Sequence, residues 1–545
     1  MKYLNYLLFS VLFFSVIMCT AQDHSLAVIK SSGENNLYSV TSDDDENIYV
    51  LGSGIGVDFG NAVVTTSSEK DEHYVAQINS KGEFIWVSTF GTSSSYHTNL
   101  YKLRVGQDNN LYICGDFHHA MHFGNFNVSA TNGAGTSRGS FIAKLDKKGV
   151  WKWAQSIRST NYKSCSTRSA QGDKFGNCYV VGEFNRNARF GATTLTTKGQ
   201  YATFVAKLDP NGNWLWAAST SAVDDRSNTR PIALDINSKE EVYILGKTAN
   251  TTVFGADTLN SSTSRHFISG LDSSGKWIET IPTLVIGNNG SNQNGDLIID
   301  KNDNVYITGT FSSAIVVGSD TLYQGHSSFY NGYVAKFTPR NGWIWAKSAS
   351  SNQIEGQCNN ISIDDENNIY ITGFTSNGRK LSIDNVVLEG RYLMKLNSTG
   401  EIQRVHSLYT SENMEFDPTD MIAISPRNVV FIGSSGEDIT YFGKTYKIDN
   451  SSSFIGYVQT RTASTEYIGS SVISIYPNPT KGTFSIINSD IERLFIYDTN
   501  GRVQELKPVK IGNEYQVSLP DCNGFYILEV HSSDGRIQRK KITKY

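Results

Sequence analysis

A short apolar segment closing on glycine returns seven times along this chain, and that recurrence limits the fold more than any other feature. It first reads Asn47-Ile-Tyr-Val-Leu-Gly52, and later copies close on Gly115, Gly182, Gly246, Gly309, Gly373 and Gly433. By subtraction these glycines are 63, 67, 64, 63, 64 and 60 residues apart. A steady period of this length means one supersecondary unit copied along the chain, each copy burying its apolar surface on its neighbours. Without the repeat, 545 residues would suggest several unrelated domains.

The fifth copy displays the unit. Asp296 to Asp300 predicts a first strand (a), followed by a polar turn at Lys301 to Asn304 and a second strand (b) from Val305 to Phe311. After a variable excursion come Gly332 to Phe337 (c), a turn at Pro339 to Gly342, and Trp343 to Lys347 (d). Val, Ile, Tyr and Trp in short runs, punctuated by Asn, Asp and Gly, are the marks of strands and tight turns. The chain's 28 Tyr, 8 Trp and 47 Gly against only 10 Pro fit that reading and exclude a disordered chain. The b segments are almost continuously apolar, so they are expected to be covered on both faces. The tyrosine three residues before the glycine (Tyr49, Tyr112, Tyr179, Tyr243, Tyr306, Tyr370) is expected to pack between units. All eight tryptophans (Trp86, Trp151, Trp153, Trp214, Trp216, Trp277, Trp343, Trp345) fall in d, where they are expected to pack the outer strand.

The two ends of the array complement each other. The seventh copy stops after its third strand, Ile455 to Gln459, while Leu26 to Ser32 precedes the first strand of copy one as a d strand would. Moving that N-terminal strand into the last unit closes a ring and removes the exposed edge of an open stack. The expected fold is all-β: a seven-bladed β-propeller over residues 22–462, a linker at 463–471 and a small C-terminal β-sandwich at 472–545.

Export is written at both ends. Lys2, the apolar stretch from Leu7 to Met18 and the small residues Cys19-Thr20-Ala21 predict a signal peptide over 1–21, cut near Ala21 before Gln22. A lipoprotein signal acylated at Cys19 is the alternative, though Met18 is bulky where that signal wants a small residue. No other run is long enough to cross a bilayer as a helix. At the C-terminus, Ile475-Tyr-Pro-Asn-Pro-Thr-Lys-Gly-Thr-Phe484 is followed by Leu494 to Val503, Gly524 to Val530 and the basic Arg539 to Ile542. This segment resembles the C-terminal sorting domain of the type IX secretion system of Bacteroidetes. Its motif residues are Pro477, Asn478, Pro479, Gly482, Asp498 and Gly501. The resemblance implies the type IX machinery as a partner and a secreted or outer-surface location. The repeats resemble those of bacterial secreted β-propellers with an Asp-x-x-x-Asn-x-Tyr-x-x-Gly core (Asp300 to Gly309, Asp364 to Gly373), which implies no fixed activity.

Chemistry-bearing motifs are few. A formal charge of −4 gives no reason to expect nucleic acid. The five cysteines beyond Ala21 (Cys114, Cys165, Cys178, Cys358, Cys522) are odd in number and show no CxxC spacing, so neither zinc nor a disulfide framework is expected. The Asp-x-x-x-Asn turns (Asp43/Asn47, Asp173/Asn177, Asp300/Asn304, Asp364/Asn368) could suggest calcium, but no bidentate Glu follows, and Asp and Asn close turns by bonding local backbone. Asp146 to Gly149 with Trp153, and Asp209 to Gly212 with Trp216, resemble in outline the tryptophan-docking repeats of quinoprotein dehydrogenases, one residue short and without cofactor residues. Asp272 to Trp277 likewise misses the sialidase Asp-box spacing. His118, His119 and His122 occur in one copy only and read as an exposed loop. No nucleophile elbow, HExxH or phosphate loop is present. No cofactor, catalytic residue or metal site is assigned.

Recognition is therefore expected on the face where the irregular b–c and d–a connections gather. Tyr96, His97, Arg158, Tyr162, Arg168, Asp225, Arg226 and Arg230 are the candidate binding residues there. The expected role is a secreted or surface-displayed binding or adhesion module for a glycan or protein. The alternatives are a surface polysaccharide hydrolase or lyase, or a structural surface-layer protein.

Overall fold

The computed structural model describes residues 24–31, 34–58, 72–79, 84–92, 98–130, 138–159, 165–260, 264–282, 284–286, 292–293, 295–312, 314–323, 331–348, 356–375, 380–383, 386–408, 417–426, 428–435, 438–441, 444–447, 452–459, 474–476, 480–487, 491–498, 503–511, 514–519, 524–532 and 537–544. Every regular element among them is a strand. Each repeat folds as one antiparallel sheet in the order a-b-c-d. In the second repeat, Asn99–Val105 pairs with Leu111–His118, then Arg138–Leu145, then Trp151–Ile157.

The b strands of the first three repeats, Ile48–Gly54, Leu111–His118 and Cys178–Phe184, are buried almost along their whole length, as their unbroken apolar runs require. Hydrophobic clusters straddle successive repeats. Tyr49 packs among second-repeat residues, Tyr112 among third-repeat residues and Tyr370 among seventh-repeat residues. One more cluster joins Val430, Ile432 and Ile455 of the seventh repeat to Leu37, Val50 and Tyr74 of the first. The inner strands touch in a circuit: Asn35–Ser42, Asn99–Val105, Cys165–Gly172, Asn228–Ile236, Leu297–Ile299, Gly356–Ile363 and Asp417–Ser425, the last returning to the first. The outer strand of the seventh sheet is the N-terminal segment His24–Ser31, antiparallel to Ser452–Gln459 with Leu26 opposite Gly456 and Ile29 opposite Ser453. The fold is a β-propeller.

Two features exceed the sequence reading. Most of the b–c excursions fold into small hairpins: Ala120–Phe123 with Phe126–Ser129, Asn187–Phe190 with Thr193–Thr196, and Thr252–Phe254 with Asp257–Leu259 among them. Gly124, Gly191 and Gly255 supply the positive φ (56°, 57° and 59°) their two-residue turns need. The phenylalanine before each glycine lies edge-on to a tryptophan of its own d strand: Phe123 to Trp151, Phe190 to Trp214, Phe254 to Trp277. The preceding repeat's d strand extends to pair with several of these hairpins, as at Gly91 opposite His122 and Ser221 opposite Val253.

The second tryptophan of each Trp-x-Trp, and Trp86 of Phe84-Ile85-Trp86 in the first repeat, dock on the next repeat. Trp86 Nε1 donates to Lys147 O (2.9 Å), Trp153 to Pro210 O (3.0 Å), Trp216 to Ser273 O (3.0 Å) and Trp345 to Ser398 O (3.4 Å). Each ring lies against the glycine of that c–d turn, so that a Cβ on Gly212 would sit 2.8 Å from Trp153. In the fourth repeat Glu279 holds the tryptophan's place. It accepts from Tyr243 Oη (2.7 Å) and from Arg340 N (3.3 Å) of the next turn.

Residues 474–544 form two four-stranded sheets. Ser474–Tyr476, Thr483–Ile487, Glu514–Ser518 and Val509–Ile511 make one; Val503–Leu506, Ile491–Tyr497, Gly524–Ser532 and Ile537–Lys544 make the other. Phe484, Ile486, Leu494, Val517, Leu528 and Ile542 share their core.

Candidate binding face

In six inner strands the ladder slips by one residue at the same place. The extra residues are Tyr38, Tyr101, Arg168, Ile232, Asn359 and Thr419. Such bulges bend a strand and re-aim one side chain, and they recur beside functional sites. Fifteen residues on, just past the repeat glycine, stand Ser53, Asp116, Glu183, Lys247, Phe374 and Ser434. In the first three repeats the two positions bond. Tyr38 Oη lies 3.1 Å from Ser53 Oγ, Tyr101 Oη donates to Asp116 (2.8 Å), and Arg168 Nη2 donates to Glu183 Oε1 (2.9 Å).

Charge gathers in repeats two to four. Buried Asp116 also accepts from Arg138 Nη2 (2.8 Å), Ser140 Oγ (3.0 Å), Ser166 Oγ (2.7 Å) and Thr167 N (3.3 Å). Glu183 Oε1 is shared between Arg168 and Arg230 Nη1 (3.3 Å). Each guanidinium lies over a tyrosine ring, Arg168 at 4.8 Å from the centroid of Tyr101 and Arg230 at 4.0 Å from that of Tyr201. These stacks hold the guanidinium planes flat and leave their edges as donors. Lys247 stands directly across the ladder from Arg230. Burial, then the nearby Arg230, lowers the Lys247 pKa, with Glu183 opposing.

A second charged group binds opposite sides of the ring. Lys102 Nζ reaches Asp296 (3.4 Å) and Asp420 (3.1 Å), and Arg104 Nη2 reaches Asp296 (3.5 Å). Burial works against both cations, yet the carboxylates hold their pKa values above the ordinary range. Asp235, raised by burial, completes the group, accepting from Ile299 N (2.9 Å) and Gln171 Nε2 (3.4 Å).

Of the residues chosen from sequence, Arg168 and Arg230 meet at Glu183. Arg158 lies apart from them, bridging to Arg189 at the stitch between d strand and hairpin. Asp225 and Arg226 occupy an exposed turn in which Arg226 pairs with Asp224 (3.1 Å). Tyr96, His97, Tyr162, Pro477, Asn478, Pro479 and Gly501 lie outside the described residues, as does the segment 1–21. Gly482 has a φ of 128° and its carbonyl accepts from Leu519 N (2.7 Å), while Asp498 follows the strand Ile491–Tyr497. Asp116, Glu183, Lys247 and Tyr201 were missed. Aligning the residue after each repeat glycine would have found the first three.

The Asp-x-x-x-Asn turns close on themselves. Asp300 Oδ1 accepts from Asn302 N and Asn304 N (2.9 Å each), and its Oδ2 accepts from Asn304 Nδ2 (2.9 Å) and Tyr306 Oη (3.0 Å). Asp43 and Asp364 repeat the arrangement, and Asp173 repeats it without the tyrosine bond. His122 Nδ1 lies 2.5 Å from Asn127 Oδ1 within its hairpin. Among the described residues no three His, Cys, Asp or Glu side chains are grouped to hold a metal ion.

The circuit of sheets makes the chain a β-propeller built from repeats. Residues 474–544 match the secretion system C-terminal sorting domain, which marks the chain for export to the cell surface or beyond. An uncharacterized WD repeat-containing protein of Acanthamoeba polyphaga mimivirus is 24% identical over 381 residues, 57% of this chain and 27% of the relative. The chain thus spans about a quarter of that relative's length. Among solved structures, an ulvan lyase of a polysaccharide lyase family is similar with a TM-score of 0.40 and 10% identity, over 78% of this chain and 97% of that one. YCF48 bound to D1 peptide gives 0.39 and 10%, over 82% and 98%. A Bacteroides caccae protein of unknown function gives 0.32 and 10%, over 69% and 93%.

Proposed function

We propose that this protein is a binding module delivered to the cell surface by the type IX machinery after removal of residues 1–21. Its propeller spans 22–462, followed by the linker 463–471 and a sorting domain at 472–545. The binding face is the one carrying the strand bulges, and the observation that supports it is the pairing of Arg168 and Arg230 on one Glu183 oxygen between two tyrosine rings. A fold-level likeness cannot name a ligand, so the reading rests on this site. The hydrolase or lyase alternative has less support. Asp116 and Glu183 are both buried and already ion-paired, which suits positioning better than proton transfer.

Two experiments test the proposal. Deleting 474–544 should retain the protein inside the cell envelope, read by fractionation, and continued appearance at the surface would reject the export route. The full secreted chain should bind members of glycan or matrix-protein arrays. Blank arrays, or turnover of a polysaccharide, would reject the binding role.

A further inference from the structure

The fourth repeat breaks the rule of its neighbours. Where Tyr101 and Arg168 bond Asp116 and Glu183, the bulged residue is Ile232, which has no polar atom to offer Lys247. The Lys247 side chain is half-buried, and its ammonium makes no hydrogen bond or ion pair among the described residues. It stands opposite Arg230, and like charges directly across a ladder destabilise a sheet. Glu183 is the acid these cations share, and its Oε2 is buried without a hydrogen-bond partner among the described residues. Three cations around one carboxylate leave an excess of two positive charges. A fold that keeps such a cost without a compensating contact places it where something else supplies the contact.

The neighbouring groups narrow what that is. Arg230 uses Nε on Asn228 (3.3 Å) and Nη1 on Glu183, so its Nη2 edge remains for a ligand. Immediately beside it, Arg168, Tyr101, Asp116 and Arg138 alternate donors with acceptors. A dense polyanion would be repelled by Asp116 and Glu183. A ligand with one anionic group set among neutral hydroxyls matches both halves of the surface.

We propose that Arg168, Arg230 and Lys247 form the anion subsite of a site for an acidic saccharide, a sugar bearing a carboxylate or sulfate. This rests on the binding reading above and specifies its ligand class. The geometry places the acid group against the Lys247 ammonium and the Arg230 edge. Adjoining sugar hydroxyls meet Arg138 and the Asp116 side.

Calorimetric titration of the full secreted chain with a uronate oligosaccharide, a sulfated oligosaccharide, their neutral counterpart and an acidic peptide tests it. One of the two acidic sugars should bind at least about tenfold tighter than the neutral one, the scale of one charge-assisted contact. Which acid wins identifies the group. Lys247→Met should lower that affinity about tenfold while leaving the melting temperature equal or higher, because it removes a like-charge pair. Preference for the neutral sugar or the peptide, or full affinity in Lys247→Met, would overturn the subsite while leaving the binding role standing. Failure of every ligand, together with blank arrays, would remove the binding role itself.

Discussion

At the residue scale, burial decides which groups respond to pH. Burial pushes His73 down to about 4, and burial with Lys247 nearby pushes His266 down to about 3. Both rings are therefore neutral in the folded protein at neutral pH, whereas in the unfolded chain they titrate near about 6.5. Above that value neither state binds the extra proton, and the stability is fully present. As pH falls below it the unfolded chain takes up protons that the folded rings refuse, so stability is lost down to the folded values. Each histidine should cost about 1.4 kcal/mol per pH unit in that window. Urea midpoints at about pH 7.5 and about pH 5 should show the decline, and His73→Phe should remove its share of the slope. An unchanged slope in that variant would contradict the assignment.

At the element scale, the joint between repeats is a tryptophan laid under a glycine turn. Gly212 has a φ of 84° and its missing Cβ makes room for Trp153, while Gly342 has a φ of 88° with nothing near its missing Cβ. Alanine at Gly342 should cost only the left-handed backbone penalty, about 1–2 kcal/mol. At Gly212 the same penalty is joined by a clash, and we expect a total of about 2–5 kcal/mol. Denaturant midpoints of the two variants provide the comparison, and equal losses would deny the docking role. Strands, turns and the tryptophan positions were legible because they repeat with a short local period. The hairpins were not, since strands of three or four residues carry too little alternation and their pairing depends on an outer strand from the previous repeat. The bulges were equally hidden, because a one-residue slip belongs to hydrogen-bond register and leaves no mark in composition. From sequence, Arg168 and Arg230 read only as polar loop residues. Their meeting at Glu183 spans 47 positions for Arg230 and could not be read from spacing.

At the scale of the whole molecule, the ring is tied by contacts between distant parts of the chain. Lys102 bonds residues 194 and 318 positions away, and the N-terminal strand completes the seventh sheet. Leu26 is buried in the cluster that joins the sixth and seventh repeats. Leu26→Asp should therefore cost about 3–5 kcal/mol, the scale of losing a buried leucine and burying a charge instead. It should also broaden thermal unfolding as the strand Ser452–Gln459 becomes an open edge, with self-association visible by size-exclusion chromatography. An unaltered sharp transition would show that the segment does not hold the seventh sheet.

That shared sheet also sets a schedule. Val458 is synthesised 434 residues after its partner His24, by subtraction, so nothing can lock the circle until the last strand of the seventh sheet has been made. The polypeptide stays threadable for nearly the whole of its synthesis. The address that sends it outward, residues 474–544, begins 15 residues after Gln459, the end of the strand that lets it shut.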